Sequence, residues 1–162
     1  MDRGTLGIDI GGVIIDRVND NTDTSFFGDR YLETTAVKGA FEAIRELVRR
    51  RFGEIHLVSK CGVAVQVKTQ RWLNHHNFFG ETAVLANNLW FCRKRNEKAG
   101  ICEKLRITHF IDDRLEVLSH LASVEHRFLF QPRPDEVEAF KEHLSRVSVV
   151  NSWQEVLKKL LP

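Results

Sequence analysis

Proline is scarce in this chain, three in 162 residues, so no proline-rich linker divides it. Cysteine is scarce too, and odd in number. Cys61, Cys92 and Cys102 show no C-x-x-C spacing, which argues against a zinc ribbon or a disulfide-stapled scaffold. They read as reduced, mostly buried thiols of a cytoplasmic protein. No apolar run approaches the roughly 20 residues that span a bilayer, and the opening MDRGTLGIDIGG lacks the long apolar region of a secretory signal. Neither sign of charge prevails. Twenty-four basic residues face 22 acidic ones, and a net charge of +2 is too small by itself to imply nucleic acid or a membrane as partner. The seven histidines are scattered, and the one pair, His75-His76, would point about 100° apart on a helix, a poor arrangement for sharing a metal. Internal repeats and low-complexity tracts are also missing. One domain over residues 1–162 is the expectation.

What is present is a 43% hydrophobic content arranged as short apolar runs alternating with helix-period segments. Strands are expected at Leu6–Ile10, Glu54–Ser59, Asn88–Cys92, Thr108–Asp112, Arg127–Phe130 and Ser148–Val150. Helices are expected at Lys38–Arg51, Val63–His75, Glu97–Leu105, Leu115–Leu121 and Asp135–Leu144, the last opened by Pro134. Ser152 and Glu155 form a capping box that starts a final helix. Trp72, Trp90 and Trp153 read as core. Residues 16–36 are polar and turn-rich, a loop or a minimal cap. Such alternation predicts an α/β fold: three layers, with a doubly wound, mainly parallel sheet covered on both faces.

The stretch LGIDIGGVIID, Leu6 to Asp16, is the most unusual part. A buried run ends in Asp9, and the next turn is stripped of side chains at Gly11 and Gly12. Ligands of doubly wound sheets sit beyond the carboxyl ends of the strands. Asp9, Ser59, Lys60, Asp112 and Asp113 all fall at such ends, and Lys98 begins the helix before THFIDD. Carboxylates, a hydroxyl and an ammonium in one crevice suit a hard cation such as Mg²⁺ together with a phosphoryl group.

The set DIGGV, a hydrophobic strand ending in Ser59, a helix-borne Lys98 and THFIDD, in that order, resembles the haloacid dehalogenase superfamily of phosphatases. AFEAIRELVRRRFGEIHLVSK, KTQRWLNHHNFF and ITHFIDDR look most like its 5'(3')-deoxyribonucleotidase-type branch. The resemblance implies a fold, an Mg²⁺ cofactor and a set of roles. Asp9 would be the nucleophile that forms an aspartyl-phosphate. Gly12, Ser59, Lys60 and Lys98 would bind the phosphoryl group. Asp9, the Gly11 carbonyl, Asp112 and Asp113 would hold the metal, directly or through water, with Asp113 the stronger direct ligand. Gly11 stands where the family usually carries a second aspartate as general acid/base. Its loss leaves two readings open: a phosphomonoester hydrolase, on nucleotides for instance, with Asp16 or a loop residue moving the proton, or a weak or inactive relative that binds a phosphorylated ligand or a partner protein.

Other readings compete residue by residue. A serine after a strand is more often a turn former, and Asp112-Asp113 can simply cap the next helix. Lys98 competes with Lys60 and Lys94. Phe26, Phe27 and Tyr31 either stack on a base or pack onto the body. The run Arg93-Lys94-Arg95 flanks the expected site and would attract anionic substrate, while Arg49–Arg51 ends a helix, where cations suit the dipole. The expected partner is a phosphorylated small molecule, or a macromolecule admitted by an open site that a second chain could close; nucleic acid and membrane are not expected.

Overall fold

Six parallel strands form the sheet of this computed structural model, which describes residues 3–17 and 28–162. They are β1 (Thr5–Ile8), β2 (Glu54–Lys60), β3 (Leu89–Cys92), β4 (His109–Asp112), β5 (His126–Phe130) and β6 (Ser148–Val150), in the order β3-β2-β1-β4-β5-β6. Five consecutive residues of β2 and all four of β4 are buried, as strands covered on both faces require. Leu6 of β1 pairs with Ile55 on one side and with His109 on the other. The chain winds outward from β1 to β3, then returns to lay β4 beside β1. The order therefore reverses between β1 and β4, and the crevice opens there.

The helices are α1 (Ala40–Arg50), α2 (Val63–His75), α3 (Phe78–Thr82), α4 (Glu97–Leu105), α5 (Leu115–Ser119), α6 (Pro134–Ala139) and α7 (Trp153–Leu160). One core gathers Leu6, Ile8, Ile44, Trp72, Phe78 and Trp153; the other gathers Val58, Cys102, Phe110, Leu118 and Leu129. Trp72 and Trp153 are fully buried, whereas Trp90 is half-buried with Lys104 above its ring. Gly7 has a steric purpose. Its partner in the register is Phe110, and a Cβ on Gly7 would meet that ring at 2.5 Å. Among the described residues no helix is long and apolar enough to cross a membrane.

Three expectations need correction. The helix over Asp135–Leu144 stops at Ala139; Phe140 leaves helical geometry at φ −124°, and a 3₁₀ segment follows over Lys141–Arg146. Val137 of α6 packs against the core, but Leu144 in the 3₁₀ segment is exposed, so the apolar stripe does not continue into it. Strand β1 ends at Ile8, with Ile10 already in the turn, where its carbonyl accepts from the N–H of Ile14 at 2.9 Å. Helix α3 went unforeseen; its buried Phe78 and Thr82 hold one short turn onto α1 and α2.

Of residues 16–36, Phe26 and Phe27 lie outside the described residues. The described ends make a neck: Ile15 bridges Ala36, the N–H of Asp16 donates to Thr35 O, and that of Val37 to Ile14 O. A 3₁₀ turn at Tyr31–Glu33 leans on α2. Tyr31 is buried under Lys68, and Trp72 Nε1 donates to Thr34 O at 2.9 Å. Tyr31 therefore packs onto the body.

Candidate active site

Strand ends set the site. Asp9 leaves β1 with its N–H donating to Ile111 O at 2.9 Å, which ties it to the neighbouring strand β4 that delivers Asp112 and Asp113. The three carboxylates each place an oxygen within 4.8 Å of the others, and all three residues are buried. Lys98 reaches them from the first turn of α4, itself only 2% exposed, and donates to Asp9 Oδ1 and to Asp112 Oδ2, both at 2.9 Å. Lys60 and Lys94 are exposed, and of the three lysines Lys98 is the one that contacts the carboxylates.

Each carboxylate is held differently. Both oxygens of Asp112 are engaged: Oδ2 takes Lys98, and Oδ1 takes the N–H of Arg114 at 3.0 Å. Asp113 Oδ2 pairs with Arg17 and lies 3.7 Å from Arg133 Nη2. Asp9 commits only Oδ1, and its second oxygen has no hydrogen-bond partner among the described residues. Burial, then the charge of Asp112, push Asp9 well above the ordinary carboxylate range. Burial raises Asp112 to about 6, with Asp113 adding to it and Lys98 opposing. Burial works against the Lys98 ammonium, but Asp112 and Asp9 outweigh it and hold the proton on. Lys98 thus serves Asp9 and Asp112 as a buried ammonium, while Asp113 draws on the partly exposed Arg17 and Arg133, and the raised Asp9 and Asp112 show that their burial and mutual repulsion are not fully offset. An all-oxygen donor set suits Mg²⁺.

The cluster floors a cavity of about 440 Å³. Ser59 and Lys60 line it from the end of β2, Ser59 buried and Lys60 at the open lip. Gly11 and Gly12 line it from the turn. Gly12 has φ +81°, and a Cβ there would meet Asp113 Oδ2 at 2.5 Å; Gly11 is exposed, and a Cβ there would meet nothing within 4 Å. Asp9, Gly11, Gly12, Ser59, Lys60, Lys98, Asp112 and Asp113 therefore all line one crevice. Sequence reasoning missed the arginines: Arg17, Arg114 and Arg133 also line it, and the Arg133 Nε is buried without a partner. Arg133 lies just past the end of β5, so the strand-end rule, applied to every strand, would have found it.

No family model matches the chain, and no curated protein matches it. Solved structures do. A protein from Thermotoga maritima, provisionally named a beta-phosphoglucomutase, aligns over 99% of this chain and 100% of its own at TM-score 0.63 and 14% identity. A phosphoserine phosphatase in apo form aligns over 98% and 99% at TM-score 0.60 and 13% identity. A HAD family hydrolase from Deinococcus radiodurans R1, solved with bound phosphate and sodium, aligns over 81% of this chain and 61% of its own at TM-score 0.54 and 16% identity. The fold is that of the haloacid dehalogenase hydrolases. The crevice at the β1/β4 reversal is where Asp9, Lys98, Asp112 and Asp113 meet.

Proposed function

We propose that this chain is an Mg²⁺-dependent phosphomonoester hydrolase with Asp9 as nucleophile. The observation that carries the reading is the state of that carboxylate. Lys98 anchors one oxygen, and the other is unpartnered at the floor of a cavity. That oxygen attacks phosphorus; the bond to the leaving oxygen breaks, and the leaving group departs as an alcohol once protonated. Water then attacks the phosphorus of the aspartyl-phosphate, restoring Asp9 and releasing inorganic phosphate. Ser59 would donate to the phosphoryl oxygens, with Lys60 at the lip; the Gly12 N–H is given to Ile15 O at 2.9 Å, so Gly12 would contribute bare backbone rather than a donor. Asp9, Asp113 and the Gly11 carbonyl would hold Mg²⁺, with Asp112 acting directly or through water. Bound there, the ion neutralises the charge shared by the cluster and the phosphoryl oxygens.

The proton has a candidate source. Among the described residues, and apart from the three clustered carboxylates, Asp16 is the one acidic residue lining the cavity. Its backbone is fixed to Thr35 O at the neck, and its Oδ1 accepts from the Arg17 N–H at 2.8 Å. Residues 16–36 would act as a minimal cap, and a second chain could complete the cover. The three buried free thiols suit a cytoplasmic protein. A nucleotide substrate rests on the likeness of three sequence stretches to deoxyribonucleotidases.

The test is phosphate release from nucleoside monophosphates, sugar phosphates and phosphopeptides, with and without Mg²⁺. Release should require the ion and disappear in Asp9→Asn. Equal release by both proteins would end the reading. Gly11 favours the second reading, a non-catalytic binder of phosphorylated ligands. Its signature is Mg²⁺-dependent binding of a phosphate mimic with no turnover across the panel.

A further inference from the structure

Beside the cavity lies a second cleft of about 430 Å³, whose walls include Lys60, Arg93, Lys94, Arg95, Glu116 and His120. Lys60 and Arg95 line both spaces, so a ligand seated over Asp9 passes into the second cleft by crossing one pair of side chains. The cleft is poor in compensating charge. Glu116 is its one carboxylate, and Arg95 takes it at 2.8 Å. Arg93 is held by neutral oxygens only, Cys61 O at 2.9 Å and Gln66 Oε1 at 2.8 Å, so it is ordered and its charge is unspent. The ammonium groups of Lys60 and Lys94 have no carboxylate partner among the described residues. Among the described residues, four basic side chains and one already paired carboxylate line the cleft, so it is locally positive in a chain of net charge only +2 and would attract an anion.

We propose that this cleft is a second anion site, which takes a further phosphate group of the same small molecule whose phosphomonoester enters the cavity. This rests on the phosphatase reading and narrows its substrate class to bisphosphorylated compounds. A phosphate dianion offers several acceptor oxygens, which suits ammonium and guanidinium donors arriving from several sides. A polymer fits less well. The other arginine run, Arg49–Arg51, sits where α1 turns into β2, with Arg51 donating to Arg3 O at the opposite end of the strands. The two basic groups therefore form no continuous track for a nucleic acid backbone.

The test is calorimetric titration of the full chain in Mg²⁺ with non-hydrolysable probes: methylphosphonate, and a series of alkane bisphosphonates of increasing length. One length should bind about tenfold or more tightly than methylphosphonate, an advantage of about 1.4 kcal/mol. Raised salt should shrink the gain, since the second site is open. Lys94→Ala should reduce the ratio of the two affinities several-fold, and Lys94→Glu should abolish it. No gain at any length, or a gain untouched in Lys94→Glu, overturns the proposal. So does a 5'-phosphorylated oligonucleotide that binds more tightly than the best bisphosphonate, because the partner is then a polymer. Binding needs no turnover. A bisphosphonate gain without phosphate release from any substrate would therefore count against the hydrolase reading alone.

Discussion

A Cβ built on Gly11 meets nothing within 4 Å, so the position that lacks a carboxyl has room for one. Asp16, some residues further on, lines the same cavity. If Asp16 moves the proton, Asp16→Asn lowers kcat by about 10²-fold, the scale of general acid/base assistance. The loss should be smallest on 4-nitrophenyl phosphate, whose leaving group needs little protonation. Gly11→Asp on that background should restore most of the rate on alkyl phosphates. Steady-state kinetics of wild type and the two variants decides: a silent Asp16→Asn removes Asp16 from the mechanism. The acidic cluster was legible because Asp9, Asp112 and Asp113 follow apolar runs, and strand ends are where such sheets put chemistry. Arg17 and Arg133 were not legible. Arginine is a common surface residue, and only the folded chain brings these two onto Asp113.

At the level of elements, periodicity was a good guide where one face is buried and a poor one where none is. Helix α2 and helix α4 run over the residues their patterns predict, Val63–His75 and Glu97–Leu105. Helix α6 packs Val137 against the core, whereas Leu144, the large apolar side chain of Lys141–Arg146, is exposed, and α3 escaped because one turn is too short to show a period. The capping box of α7 formed with a shift. Ser152 Oγ accepts from the N–H of Glu155 at 3.1 Å, but Glu155 Oε2 returns to the N–H of Asn151 at 2.6 Å. Ser152→Ala should cost about 1 kcal/mol. A thermal melt should show this as a fall of about 2–4 °C. Strand β4 carries a pH effect at the end away from the site. His109 stacks on His126, its ring centroid 4.4 Å away, and burial first, then the charges of His126 and Arg51, pull it down to about 4. The unfolded chain binds this proton near pH 6.5 and the folded chain does not, so stability falls as pH drops from about 6.5 towards 4. His109→Phe keeps a ring against Phe128 and should flatten that part of the curve of Tm against pH. An unchanged slope would assign it to other groups.

Across the whole molecule, one imbalance stands out. The chain is nearly neutral, yet its most buried charges are three carboxylates around a single ammonium, with Arg17 drawn onto Asp113 from the edge of the cavity. Like charges this close and this dry raise the free energy of the folded state. A divalent ion seated among them would remove that repulsion, competing with Arg17 for Asp113, and would do so only in the folded chain, because unfolding scatters residues 9, 112 and 113. Linkage then sets the size of the effect. At Mg²⁺ about a hundredfold above its dissociation constant the gain is about 2.7 kcal/mol. For a chain of this length that is a rise in Tm of about 5–10 °C. Differential scanning calorimetry in Mg²⁺, against NaCl of equal ionic strength, should show the rise in wild type. Asp113→Asn removes one of the three charges, so its melting temperature without the ion should equal or exceed that of wild type, while its response to Mg²⁺ should nearly vanish. The two shifts run in opposite directions because one carboxylate causes both the strain and the binding. A variant that kept the full Mg²⁺ response would place the ion elsewhere, and the cluster would lose its claim to be a metal site.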